Sequence, residues 1–242
     1  LKHVKVHDAG SEIFLLYDDG PVSLDDCVVY VTVDPSGGAS ELTATKLSDK
    51  VGWWVVAVDL KGRWAVLEIG NKHLDDVQFM DNNFLLYDKW HPEVIAVEKD
   101  RHIEALVAHG FQRYRRTLPI SYWQSHGVPK EQRIRGLLPL LPNIYFNAEF
   151  AAAYQARLQG WHTTQQHDDD DHDAGSAMIK VARAPTKESL DAKRRRLREE
   201  RSDVLYKSLA PAEQRVWKKA QEIEKRAREP GQEECNNELV EF

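Results

Sequence analysis

Three acidic positions stand out by their placement. Asp34 ends the apolar run Val28-Val29-Tyr30-Val31-Thr32-Val33 and is followed at once by Pro35-Ser36-Gly37-Gly38. Glu98 ends the shorter run Val94-Ile95-Ala96-Val97 in the same manner. The third is a cluster, His167-Asp168-Asp169-Asp170-Asp171-His172-Asp173. It leads into a segment where Ala174, Ala177, Met178 and Val181 recur at helical spacing. Tracing that face back one turn from Ala174 reaches Asp170, which is expected to point inward; Asp173 lies beside it, and Asp169 and Asp173 share a neighbouring flank. Carboxylates gathered out of water repel one another, and some stay protonated unless a cation joins them. Mg²⁺ or Mn²⁺ suits such a set, and two ions about 4 Å apart can clamp the attacking and leaving oxygens of a phosphodiester. The chemistry expected is therefore metal-dependent phosphodiester hydrolysis. The blander reading makes Asp34 a strand-ending turn residue and the Asp168–Asp173 cluster a helix start favoured by the helix dipole.

Strand ends must present the first two acids. The β-branched and aromatic character of residues 28–33 predicts a strand buried on both faces. Thr43-Ala44-Thr45-Lys46-Leu47 and Trp53-Trp54-Val55-Val56-Ala57-Val58-Asp59 are further candidates, and the turn Leu60-Lys61-Gly62-Arg63 returns into Trp64-Ala65-Val66-Leu67-Glu68-Ile69. Together these predict an antiparallel meander. Trp53 and Trp54 are adjacent on a strand, so they face opposite sides and read as packing residues. From His73 to Trp90 the pattern becomes helical through Leu74, Val77, Met80, Phe84 and Tyr87, and Pro92 closes it. A strand reached through a crossover helix should lie parallel to one already in the sheet, which brings Glu98 to the same end as Asp34 if the two strands are neighbours.

Further helices are expected around Ile103–Gly110, Pro129–Arg135 and 148–158, with a brief apolar Ile144-Tyr145-Phe146 between the last two. Residues 1–27, with one apolar block at Ile13–Tyr17, read as a lead-in segment. Residues 185–230 read as a charged helical tail with a thin stripe through Leu190, Leu197, Val204 and Leu205, and residues 231–242 are expected to be disordered.

With 242 residues and 42% hydrophobic content, the chain can bury one substantial core. No apolar run approaches the ~20 residues of a membrane span and no leader pattern opens the chain, so a cytoplasmic location without a membrane partner is expected. Cys27 and Cys235 are too few for a disulfide framework or zinc knuckle. The net charge of −6 argues against indiscriminate nucleic-acid binding. That charge is segregated: residues 187–230 hold 14 Lys or Arg against 9 Asp or Glu, leaving −11 elsewhere. An anionic site in such a field must still admit a polyanion, which predicts strong dependence on divalent metal and ionic strength. The start at Leu1 rather than Met suggests a domain cut from something longer.

The order of elements is a meander with an acid on its first strand, a crossover helix, a strand with the second acid, and a late helix with the third. It resembles the ribonuclease-H-like fold. More narrowly, the chain resembles the nuclease domain of the large terminase subunit of tailed bacteriophages. The likeness, over residues 25–182, is carried by Val33-Asp34-Pro35-Ser36-Gly37, Ser40-Glu41-Leu42-Thr43-Ala44, Val94-Ile95-Ala96-Val97-Glu98, Lys130 with Arg133-Ile134, and Asp169-Asp170-Asp171-His172-Asp173-Ala174. The last is similar to the family's Asp-Asp-x-x-Asp-Ala ending.

The resemblance implies an α/β fold, a mixed sheet in which an antiparallel meander is followed by parallel strands, flanked by helices, with residues 28–184 as the nuclease domain. It implies an endonuclease that cuts concatemeric viral DNA during genome packaging in the host cytoplasm. Asp34, Glu98 and Asp170 would be the catalytic ligands of two Mg²⁺ or Mn²⁺ ions, with Asp169 and Asp173 as further candidate ligands. Lys130 and Arg133 would contact DNA phosphates, and Glu41, where the family usually has Asp, and His167 would be auxiliary. No Gly-x-x-x-x-Gly-Lys-Ser/Thr phosphate loop occurs, so a packaging ATPase would lie upstream in a longer protein; double-stranded DNA, a portal and a small terminase subunit would be partners. A junction resolvase or transposase-like nuclease on the same fold is the alternative within nucleases, and a non-catalytic packaging-motor assembly module the alternative outside them.

Overall fold

The computed structural model describes residues 1–10, 12–35, 50–99, 101–125, 127–160 and 170–228. They fall into two compact units, Leu1–Leu190 and Asp191–Phe242. Residues 1–27, expected to be only a lead-in, contribute three strands, β1 (Lys2–Asp8), β2 (Ile13–Tyr17) and β3 (Gly20–Ser23), paired antiparallel in turn. The meander follows as β4 (Cys27–Asp34), β5 (Val51–Asp59) and β6 (Trp64–Lys72). The candidate strand Thr43–Leu47 lies outside the described residues.

After helix α1 (Asp76–Trp90), β7 (Val94–Glu98) returns parallel to β4. Helix α2 (Arg101–Tyr114) then leads to β8 (Ile120–Trp123), parallel to β7. The run Leu118-Pro119-Ile120 carries too few apolar residues to announce that strand. Helix α3 (Lys130–Arg135) precedes β9 (Ile144–Asn147), a parallel strand that joins β1 to β6. Helices α4 (Ala151–Gly160) and α5 (Asp170–Val181) complete the first unit, apart from the start of α6 (Lys187–Ser208). Among the described residues the nine strands run β3-β2-β1-β9-β6-β5-β4-β7-β8. The last five, β6-β5-β4-β7-β8, an antiparallel trio continued by two parallel strands, make the mixed, helix-flanked sheet that the ribonuclease-H-like reading expects.

Every residue of β4 and of β5 is buried, because helices cover both faces. Cys27, Val29, Val31 and Val33 share one face with Trp53, Val55, Phe79, Met80 and Val107, the α1 and α2 side. Val28 and Tyr30 share the other with Trp54, Val56, Tyr154, Ala174 and Met178, the α4 and α5 side. The two tryptophans therefore point to opposite layers, and each fills space vacated by a glycine. A Cβ on Gly70 would fall 1.9 Å from the Trp53 ring, and one on Gly175 would fall 2.5 Å from Trp54. Glycine on α5 thus lets that helix lie close against β5.

Helix α1 starts with a capping box between Asp75 and Gln78 and buries Phe79, Met80, Phe84, Leu86 and Trp90. Val77, placed on its inner face by spacing, is 44% exposed: the buried stripe runs through Phe79 and Asn83 instead. In the second unit α6 continues and α7 (Pro211–Arg228) follows. Their turn is closed by Gln214, whose amide donates to the carbonyls of Tyr206 and Leu209. Residues 231–242, expected to be disordered, lie outside the described residues. Among the described residues no helix is long and apolar enough to cross a membrane.

Candidate metal centre

Strand parity decides which way the two strand-terminal acids point. Thr32 and Asp34 lie on the α5 face of β4, since the intervening Val31 and Val33 belong to the opposite layer. On β7, Ala96 packs with Ala177 of α5 while Ile95 and Val97 belong to the other layer, so Glu98 also projects toward α5. The parallel register sets Val33 beside Val97, which puts the next residues, Asp34 and Glu98, side by side at one sheet end.

Helix α5 brings the third acid. Thr32 Oγ1 donates to the Ala174 carbonyl at 2.7 Å in the buried interface, and Gly175 accepts the Trp54 ring, so the first turn of α5 is pinned to the mouth of β4 and β5. Asp171, His172 and Asp173 in that turn are all buried. Asp34, Glu98 and Asp173 each place a carboxylate oxygen so that the three lie within 4.8 Å of one another; Asp34 and Asp173 are buried and Glu98 is half-buried.

Among the described residues these are the acids brought together. Asp170 is the first residue of α5, but its side chain, like Asp169, His167 and Glu41, lies outside the described residues. Asp173 lies one turn before the buried Ala177, and Asp170 one turn before Ala174.

Asp173 has a cationic neighbour. Arg133 Nε donates to Asp173 Oδ1 at 2.9 Å and Nη2 donates to Oδ2, with the guanidinium 13% exposed. The Ser176 hydroxyl lies 2.7 Å from the Asp173 carbonyl and 3.1 Å from Oδ1. Lys130, three residues before Arg133, is half-buried at the start of α3. Beyond α2, Arg116 is paired with Asp88 at 2.5 and 3.1 Å.

The donor set suits a hard divalent cation. It is all oxygen, drawn from three carboxylates, as Mg²⁺ or Mn²⁺ prefers. His172, although buried, bonds through Nδ1 with the Tyr154 hydroxyl at 3.1 Å, on the α4 side.

No protein family matches the chain, and no curated protein does. The solved structures similar to it include three Holliday junction resolvases. The yeast mitochondrial Holliday junction resolvase Ydc2 is 13% identical over 61% of this chain and 74% of its own, with a TM-score of 0.39. The fowlpox virus Holliday junction resolvase is 11% identical over 64% of this chain and 100% of its own, with a TM-score of 0.41. RuvC of T. thermophilus, in complex with a Holliday junction substrate, is 12% identical over 66% and 100%, with a TM-score of 0.33. At such scores the likeness carries no argument about function.

Proposed function

We propose that this chain is a divalent-metal-dependent endonuclease that hydrolyses DNA phosphodiesters at Asp34, Glu98 and Asp173. The observation that carries the reading is the meeting of these carboxylates from β4, β7 and α5 within 4.8 Å. Nothing in hydrophobic packing requires three acids from separate elements at one place, and gathering them destabilises the metal-free fold. When bound, the ions would supply the positive charge that offsets the charge building on the phosphodiester oxygens. The chain's own part is to hold the oxygens: the parallel β4–β7 register fixes Asp34 beside Glu98, and the Thr32 and Gly175 contacts fix the turn that bears Asp173.

The finer reading is the nuclease of a genome-packaging terminase, which rests on the motif set from Asp34 through Ala174 and on its spacing. A second reading, cleavage of four-way junctions, comes from the names of the similar structures and serves as a competing substrate in the assay. Supercoiled plasmid, linear duplex and a synthetic four-way junction are each incubated with the protein and Mg²⁺ or Mn²⁺. Metal-dependent cutting of plasmid and linear duplex, lost in Asp34→Asn and Glu98→Gln variants that remain folded, supports the packaging nuclease. Cutting confined to the junction supports the second reading, and the absence of cutting with either ion on every substrate contradicts both.

A further inference from the structure

Arg133 is placed by sequence among the DNA-contacting residues, yet its guanidinium is turned inward. Nε and Nη2 engage both oxygens of Asp173, and Nη1 reaches the Val128 carbonyl at 3.4 Å. The backbone N–H of Arg133 is itself bonded to the Pro129 carbonyl at 3.1 Å, so the side chain leaves from an ordered first turn. A two-pronged contact to one carboxylate is the strongest geometry an arginine offers, and lysine cannot reproduce it. It uses one lone pair on each oxygen; the Ser176 hydroxyl lies 3.1 Å from Oδ1, and Oδ2 keeps a second lone pair for another ligand.

Resting on the reading of the trio as a divalent-ion site, we propose that Arg133 is a positioning residue that clamps Asp173 in ligating orientation and serves as a resident counter-charge to the three acids. With Arg133 in place, the group carries a formal charge of −2 rather than −3. The fork therefore does two separable things. Its charge weakens the pull of the acids on any cation, and its shape holds Asp173 in one rotamer before cation or DNA arrives. A guanidinium engaged in this way is not the phosphate contact that the position alone suggests.

The test is a calorimetric titration of Mn²⁺ into the DNA-free protein, paired with plasmid nicking at saturating Mn²⁺, for the wild type, Arg133→Met, Arg133→Lys and Asp34→Asn. In Arg133→Met, removal of the counter-charge tightens Mn²⁺ binding about tenfold. The turnover rate falls by about 10–100-fold, as for other residues that orient a metal ligand, with KM for DNA nearly unchanged. Arg133→Lys restores wild-type Mn²⁺ affinity but not the turnover rate, because the charge returns and the fork does not. Unchanged or weaker Mn²⁺ affinity in Arg133→Met overturns the proposal, as does a raised KM at normal turnover, the signature of a lost phosphate contact. Should Arg133→Met fail to fold, Arg133→Lys decides: normal turnover there contradicts a clamp. Asp34→Asn isolates the underlying reading, since undiminished Mn²⁺ binding in that variant removes the site itself, whatever Arg133 does.

Discussion

At the Cys27–Asp59 end of the β4–β5 pair, one buried carboxylate is ringed by donors; at the Asp34–Gly52 end, three carboxylates face one another. Asp59 is 3% exposed, yet its Oδ1 accepts the backbone N–H groups of Lys61 and Arg63, each at 2.9 Å, and its Oδ2 accepts Arg63 Nε at 2.6 Å. Arg63 also lies over the Tyr17 ring, 3.8 Å from its centroid, and reaches Asp19. Burial, joined by the charges of Cys27 and Asp59, holds the Tyr17 phenol well above its ordinary range, so it stays neutral there. The carboxylate at this end is satisfied by its own turn. At the other end Arg133 pairs with Asp173, and the three carboxylates converge where a divalent ion could be held.

The two ends look alike in the sequence, since each is an apolar run ending in Asp. What separates them is the next four residues. Leu60-Lys61-Gly62-Arg63 returns a cation to the acid through a tight turn with Gly62 at φ 72°, whereas Pro35-Ser36-Gly37-Gly38 carries none. A strand-ending acid with its own cation four residues on is a turn device; one without it is a candidate for chemistry.

Substitutions can break this contrast. The largest effect is expected at the trio: Asp34→Asn or Glu98→Gln should lower plasmid nicking by more than ~100-fold, beyond what supporting residues of a metal site usually contribute. Asp59→Asn should leave nicking by the folded protein unchanged but lower stability by about 3 kcal/mol in urea unfolding, because Arg63 loses its buried partner. Gly175→Ala should lower stability by about 1–3 kcal/mol, the overpacking against Trp54 outweighing the helix propensity gained. Asp34→Asn should raise metal-free stability by about 1 kcal/mol through relief of repulsion, opposite in sign to Asp59→Asn.

The smallest effect concerns Asp19, whose carboxyl is lowered to about 2 by hydrogen bonds from Lys61 and then Arg63. A depressed folded value means that the contribution is present above the ordinary carboxylate range and is lost as pH falls through about 2. The pair is solvent-exposed, so thermal melts of wild type and Asp19→Asn should differ slightly at pH 5 and converge toward pH 2.

The meander, the crossover and the shared end of Asp34 and Glu98 were legible because continuous apolar strands and a helix-period segment leave few topologies. The β8 strand was not, since its four residues show no pattern; β1 and β3 carry little apolar signal, and the apolar block of β2 alone does not announce a sheet. The third acid was ambiguous for a different reason. In a run of consecutive aspartates, helical spacing admits two inward faces, and the choice depends on whether Ala174 or Ala177 is taken as the anchor. The packing of Gly175 on Trp54 and the Thr32 bond to Ala174, neither visible in the sequence, help orient the helix so that Asp173 meets Asp34 and Glu98.

A crystal soaked in Mn²⁺ tests the central claim most directly. The account predicts anomalous density within ligating distance of Asp34, Glu98 and Asp173, lost in a crystal of Asp34→Asn. Density elsewhere with this site empty would contradict it.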